Sequence, residues 1–185
     1  MEKMDTLPKK TKRTNSKAKG NGFENKVAKI LSEAFKPMKF ARTPGSGARV
    51  GGMNFGAFGQ FFSQEALNLF VGDVVPVNEQ DCPKNFRFIV ECKAYKDADK
   101  LENLLHGNSN IYGWMEEVLV DCAKVNKDGI VIFKWNNTPI YTAVTKDVLL
   151  PADLPRIVLT NGIQVAHLEK LLQHPDFWLV DKPKP

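Results

Sequence analysis

The sequence predicts an α/β fold, a mixed central β-sheet flanked by helices. Three observations predict it. Segments with apolar residues at helical spacing alternate along the chain with short apolar segments of strand type. Two pairs of those strands are joined by short polar stretches of hairpin type, at 78–84 and at Asn136-Asn137. The 185 residues, 43% hydrophobic and 25% charged, can bury one ordinary core without a disulfide or metal staple.

Residues 1–19 are polar, basic and without periodicity, and read as a disordered arm. They hold seven Lys/Arg against two acids, which is the whole of the chain's net charge of +5. A basic arm on a neutral body suggests an anionic polymer partner, with Lys9, Lys10, Lys12 and Arg13 as contacts. A solubilising tail is the alternative.

Gly20-Asn21-Gly22 reads as a break. A helix is predicted over 22–36, with Phe23, Val27, Ile30, Leu31, Ala34 and Phe35 on one face and Pro37 as its stop. A short strand is expected at 38–43, then a turn at Pro44-Gly45-Ser46-Gly47. Residues 50–62 alternate glycines with aromatics and fit neither period. They read as a mobile loop whose Phe residues anchor in the core or stack on bases. Strands follow at 69–77 and 85–94. A short helix is predicted at 98–105 and a longer one at 111–125, with Ile111, Met115, Val118, Leu119 and Cys122 on one side. A strand at 130–135 turns at Asn136-Asn137 into another at 140–144, and a last helix is predicted at 163–172. Beyond the arm this is one domain over 20–180, with a core at 20–145, a C-terminal extension at 146–180 and a tail at 181–185.

Cys82, Cys92 and Cys122 are odd in number and form no C-x-x-C pair, so neither a disulfide framework nor a zinc site is expected. A reduced intracellular compartment is the natural reading. His106, His167 and His174 stand in no metal-ligand spacing. No apolar run approaches the length of a membrane span, and no apolar signal region opens the chain.

The chemistry concentrates in the strand at 85–94. Alternation puts Phe86, Phe88, Val90 and Cys92 on one face, and Glu91 and Lys93 together on the other. Asp73 sits in the preceding, otherwise apolar strand. A hairpin centred near Cys82 pairs residues whose numbers sum to about 164, which sets Asp73 opposite Glu91. Two carboxylates so placed repel unless a cation lies between them, and an oxygen-ligated divalent ion such as Mg²⁺ fits. With Lys93 beside them, these are the parts for phosphodiester hydrolysis: a Lewis acid, an activated water and a fixed cation. An ordinary cross-strand salt bridge between Asp73 and Lys93 is the other reading. Glu24 is a third acid at the edge of the first helix's buried face, but Asn21 three residues earlier would also make it half of a capping box. Arg42 and Arg49 flank the 44–47 turn, whose glycines would let backbone amides approach a phosphate.

These pieces, in this order, resemble archaeal-type Holliday junction resolvases of the PD-(D/E)xK nuclease superfamily. The matching stretches are 19–24, 42–47, 72–74 and 89–93, and the likeness covers about 19–145. The resemblance implies a restriction-endonuclease-like core and a metal-dependent DNA endonuclease. It implies Mg²⁺ or Mn²⁺ on Asp73 and Glu91, with Glu24 joining directly or through water and the Cys92 backbone carbonyl as a further ligand. Lys93 would be the catalytic lysine, Ser46 would lie in the active-site loop, and Arg42 and Arg49 would contact DNA. Junction DNA as substrate and a homodimer as the working state also follow. So does a location in the cytoplasm, at the nucleoid or in a phage-infected host. The sequence departs from the pattern in its long 47–73 spacing and in having Gly72 where many members carry proline. A restriction or repair nuclease, or a DNA-binding relic of one, would use the same frame.

Overall fold

The computed structural model describes residues 16–43, 70–125 and 127–181. Lys9, Lys10, Lys12, Arg13, Ser46, Arg49, the 44–47 turn and the 50–62 stretch lie outside those residues.

The first helix, α1, spans Ser16–Ala34 and starts six residues before the predicted position. Residues 16–19 therefore belong to a helix, and Gly20 and Gly22 are interior to it. Each glycine costs a helix roughly 1 kcal/mol relative to alanine. Burial of Phe23, Val27, Leu31 and Phe35 outweighs that, at about 1.5–3 kcal/mol per large side chain. Local glycine signals lost to tertiary packing.

Nine strands follow among the described residues: β1 Phe40–Arg42, β2 Val74–Pro76, β3 Lys84–Phe86, β4 Phe88–Ala94, β5 Asp128–Lys134, β6 Tyr141–Val144, β7 Arg156–Val158, β8 Gln164–His167 and β9 Leu179–Asp181. Seven form the main sheet in the order β1-β2-β4-β5-β6-β8-β7. Only β4 and β5 run parallel, and the other pairs are antiparallel. The fold is thus the expected α/β arrangement with a mixed sheet. Between β4 and β5 lie two helices, α2 Leu101–Leu105 and α3 Asn110–Cys122. Ser109 caps α3 by accepting from the Ile111 N–H.

Alternation along the central strands builds two cores. Phe88, Val90 and Cys92 of β4, with Ile130 and Ile132 of β5, pack under α1. Ile89, Val131 and Phe133 pack on the other side against Ile111, Trp114, Met115 and Val118 of α3. Leu119, expected in that stripe, is exposed instead.

The strand predicted at 85–94 is two strands. It breaks at Arg87, whose N–H donates to the Trp178 carbonyl, and β3 turns away to pair with β9 in a separate two-stranded sheet. Fully buried Trp178 stacks on Phe86 at the break, with ring centroids 6.0 Å apart. The link from β2 to β3 carries a 3₁₀ turn, Glu79–Asp81.

The helix predicted at 163–172 is strand in its first half and helix in its second. β8 pairs with β6 through Ala166 and Thr142, and only Leu168–Leu171 (α4) is helical. Ile163, just before β8, and Val165 within it are β-branched and pack on the α3 side of the sheet. β7, which pattern reading missed, edges the sheet with all three residues exposed. The C-terminal extension thus adds two strands to the main sheet. It also supplies α5 Pro175–Trp178 and β9, which runs one residue into the predicted tail. No helix among the described residues is long and apolar enough to cross a membrane.

Candidate active site

β4 is paired along its whole length with β5, from Phe88↔Asp128 to Ala94↔Lys134. On its other edge it pairs with β2 only at Val74↔Val90. Those numbers sum to 164, the register the sequence implied. Asp73, however, precedes β2 rather than lying inside a longer strand. Its N–H donates to the Val90 carbonyl at 2.7 Å and its own carbonyl accepts from the Thr43 N–H at 2.9 Å. Its carboxylate Oδ2 accepts from the Cys92 N–H at 2.8 Å. Beyond Val90, therefore, the Asp73 side chain stands where a strand partner would have been.

Gly72 makes that turn. Its φ is +91°, and a Cβ there would stand 3.0 Å from the Val90 carbonyl oxygen and 3.1 Å from Ile89 Cγ2. Proline, with φ fixed near −65°, could not replace it. The departure from the superfamily pattern has a local cause in the backbone.

Glu91 and Lys93 project together from β4, with Lys93 Nζ 2.9 Å from Glu91 Oε1. Lys93 is also ion-paired to Glu117 of α3. The simple Asp73–Lys93 bridge is not what forms. Glu117 was not anticipated, because its approach to β4 depends on how α3 crosses the sheet. Its one sequence signal is an acid flanking the buried stripe of Trp114 and Val118.

Glu24 approaches from α1, on the opposite side of the sheet. Its Oε2 accepts from Arg42 Nη1 at 3.3 Å, and the residue is 9% exposed. The Asn21 capping box does not form, since Asn21 lies inside the helix. That leaves the Glu24 carboxylate to the sheet edge.

The charges are unevenly balanced. Burial, then the Asp73 carboxylate, pushes Glu91 up to about 7 against the pull of Lys93. Burial and Asp73 also raise Glu24, with Arg42 opposing. For Lys93, burial works against the charge, but Glu91 and Glu117 outweigh it and raise the ammonium above the ordinary lysine range. Burial and the surrounding carboxylates push the Cys92 thiol well up, so it is held as a neutral core group and not as a nucleophile. Two acids in mutual repulsion, offering only oxygen donors, fit a hard divalent cation. Among the described residues no three His, Cys, Asp or Glu side chains stand close enough to hold a metal. Glu24 is therefore near the pair electrostatically without completing a shell with it.

An acid before one strand, and an acid and a lysine two residues apart on the next, meet at a loose edge of a mixed sheet with helices on both faces. That is the frame of a PD-(D/E)xK nuclease. The assignment narrows further: the model of the family described as "Phage putative PDDEXK endonuclease" matches residues 15–170, and the chain belongs to that family. The match runs from α1 into α4, so it includes Glu24, Asp73, Glu91 and Lys93. No curated protein and no solved structure matches the chain. The superfamily is established on this ground, while the likeness to junction resolvases stays a likeness.

Proposed function

We propose that this chain is a divalent-metal-dependent DNA endonuclease that hydrolyses phosphodiesters to 5′-phosphate and 3′-hydroxyl ends. The observation that carries the reading is the Asp73 carboxylate, held on the Cys92 N–H beside Glu91 and Lys93. Asp73 and Glu91 would hold Mg²⁺ or Mn²⁺. A strand residue's N–H and C=O leave on the same side, so the Cys92 carbonyl faces the same loose edge and can join them. When bound, such an ion supplies a Lewis acid for the phosphate.

The chain's own groups do the rest. The Cys92 N–H fixes the Asp73 carboxylate, so little reorganisation is left for the reaction. Lys93, charged and partly buried, sits where it can donate to a non-bridging phosphate oxygen or hold a water against the phosphorus. Its bond to Glu117 gives it a partner when Glu91 turns to a cation. Arg42, anchored by Glu24, offers its remaining N–H donors to the DNA backbone. Ser46, Arg49 and the basic arm are proposed as further DNA contacts.

Asp73→Ala and Glu91→Ala should each abolish cleavage of DNA in Mg²⁺ while a gel shift still detects binding. Undiminished cleavage by both variants would remove the assignment. Branched DNA as substrate and a homodimer are what the resolvase resemblance adds. Cleavage of a four-way junction beside a flap, a nicked duplex and a linear duplex tests the first, and light scattering tests the second.

A further inference from the structure

The two helices that flank the site carry opposite charge. α1 holds Lys17, Lys19, Lys26 and Lys29 against Glu24 and Glu33. α3 holds Glu116, Glu117 and Asp121 and no basic residue. A polyanion approaching the loose edge of β4 meets attraction on one side of the sheet and repulsion on the other.

The α1 side also has a built path away from the site. Even-numbered residues of β5 face α1, as Ile130 and Ile132 do, so Lys134 at its end falls on that side. Lys134 is the partner of Ala94, two residues (about 7 Å) beyond Cys92 along β4. The next turn ties the strand ends to the helix. The Asn136 N–H donates to the Lys96 carbonyl at 3.2 Å, and Lys19 Nζ donates to Asn136 Oδ1 at 2.9 Å. Lys19 stands five residues before Glu24, about 7.5 Å along the helix, which is roughly the span of two nucleotides on one strand. Among the described residues neither Lys19 nor Lys134 meets an acid, and Lys19's partner is a neutral amide. The chain before Ser16, with its Lys/Arg cluster, joins the protein at this same end.

We infer that DNA leaves the cleavage site along the α1 side of the sheet, with its phosphates on Lys19 and Lys134, and that its path beyond Glu91 and Lys93 does not continue over the acidic α3. This rests on the nuclease reading and adds the direction of the substrate. The contacts are to phosphate and so carry no sequence preference.

The test uses the full chain with Asp73→Asn, bound to duplex DNA, under a lysine-acetylating reagent read by mass spectrometry. Lys19 and Lys134 should be protected, and Lys36, two residues past the C-terminal end of α1, should not. In parallel, K19A/K134A should make the plot of log affinity against log salt shallower by about 2. Protection confined to other lysines, or an unchanged salt slope in a variant that still cleaves, overturns the path and leaves the nuclease standing. A chain that neither binds nor cleaves DNA overturns both.

Discussion

The two edges of β4 are built in opposite ways. Toward β5 every residue from Phe88 to Ala94 has a strand partner. Toward β2 the pairing is Val74↔Val90 alone, after which the Asp73 side chain takes the Cys92 N–H. The closed edge spends its backbone groups on stability. The loose edge spends them on fixing a carboxylate, and the acids collected there repel one another. The same strand thus carries the middle of the core and, at Glu91, a carboxylate whose charge is disfavoured by burial and by Asp73.

The contrast breaks most sharply under paired substitutions. Asp73→Asn keeps an oxygen that can accept from Cys92 but loses the charge. Cleavage should fall by on the order of 10³-fold, the factor that roughly 4 kcal/mol of lost transition-state stabilisation produces. The melting temperature should not fall, since the repulsion on Glu91 and Glu24 is relieved. Ile132→Ala, on the closed side in a fully buried position, should do the reverse. It should cost about 2–5 kcal/mol of stability while specific activity per folded molecule holds. Denaturant melts and initial cleavage rates on the same preparations check both. Similar losses of rate in the two variants would mean that the edges are not functionally distinct.

The two glycines bordering β4 sharpen the comparison. Gly72 on the loose side needs its positive φ, and a methyl there presses on the Val90 carbonyl that accepts from Asp73. Gly129 on the closed side has no such φ, and a methyl would meet Cys122 Sγ at 3.0 Å and Val118 Cγ1 at 3.1 Å. Gly72→Ala should cost roughly 1–3 kcal/mol. It should also lower cleavage by about 10²-fold, because it moves Asp73. Gly129→Ala should cost a similar 1–3 kcal/mol by overpacking under α3, with cleavage unchanged. Equal effects on rate would undo the distinction.

Much of this was legible in the residues. Alternation in 86–93 assigned both faces of β4 correctly, and the hairpin sum predicted the register that the strands adopt. What was not legible came from interactions distant in sequence. Gly20 and Gly22 read as a break because their cost is local, whereas the gain from Phe23 and Val27 appears only once the sheet is present. For the same reason Asn21 read as a cap, and Glu24 gained a rival role it does not have. Residues 163–172 read as one helix although Ile163 and Val165 stand at strand spacing. The pairing of Val165 with Ala143 of β6, some twenty residues earlier, decides for strand in the first half. Glu117 became visible only when α3 was laid over β4. The break at Arg87 depends on Trp178, ninety residues on.

The smallest effect concerns the cost of the loose edge itself. Burial and Asp73 hold the Glu91 carboxyl near 7 in the folded protein, against an ordinary value of 4.5. The folded state therefore binds that proton more tightly than the unfolded chain does. Its contribution to stability is full below pH 4.5 and is lost as pH rises through 7. Glu91→Gln removes the titration and leaves Lys93 with Glu117. Without divalent metal, the variant and the parent should melt alike near pH 4.5, and the variant should melt higher at pH 8, by about 5 °C. Mg²⁺ should then raise the parent's melting temperature at pH 8 more than the variant's, since a ligand of the folded state stabilises only where its site is intact. A variant that melts lower than the parent at pH 8 would mean that the Lys93 pair outweighs burial and the repulsion from Asp73 at Glu91. The loose edge would then be a stabilised salt bridge, and the strain that invites a cation would have to come from elsewhere.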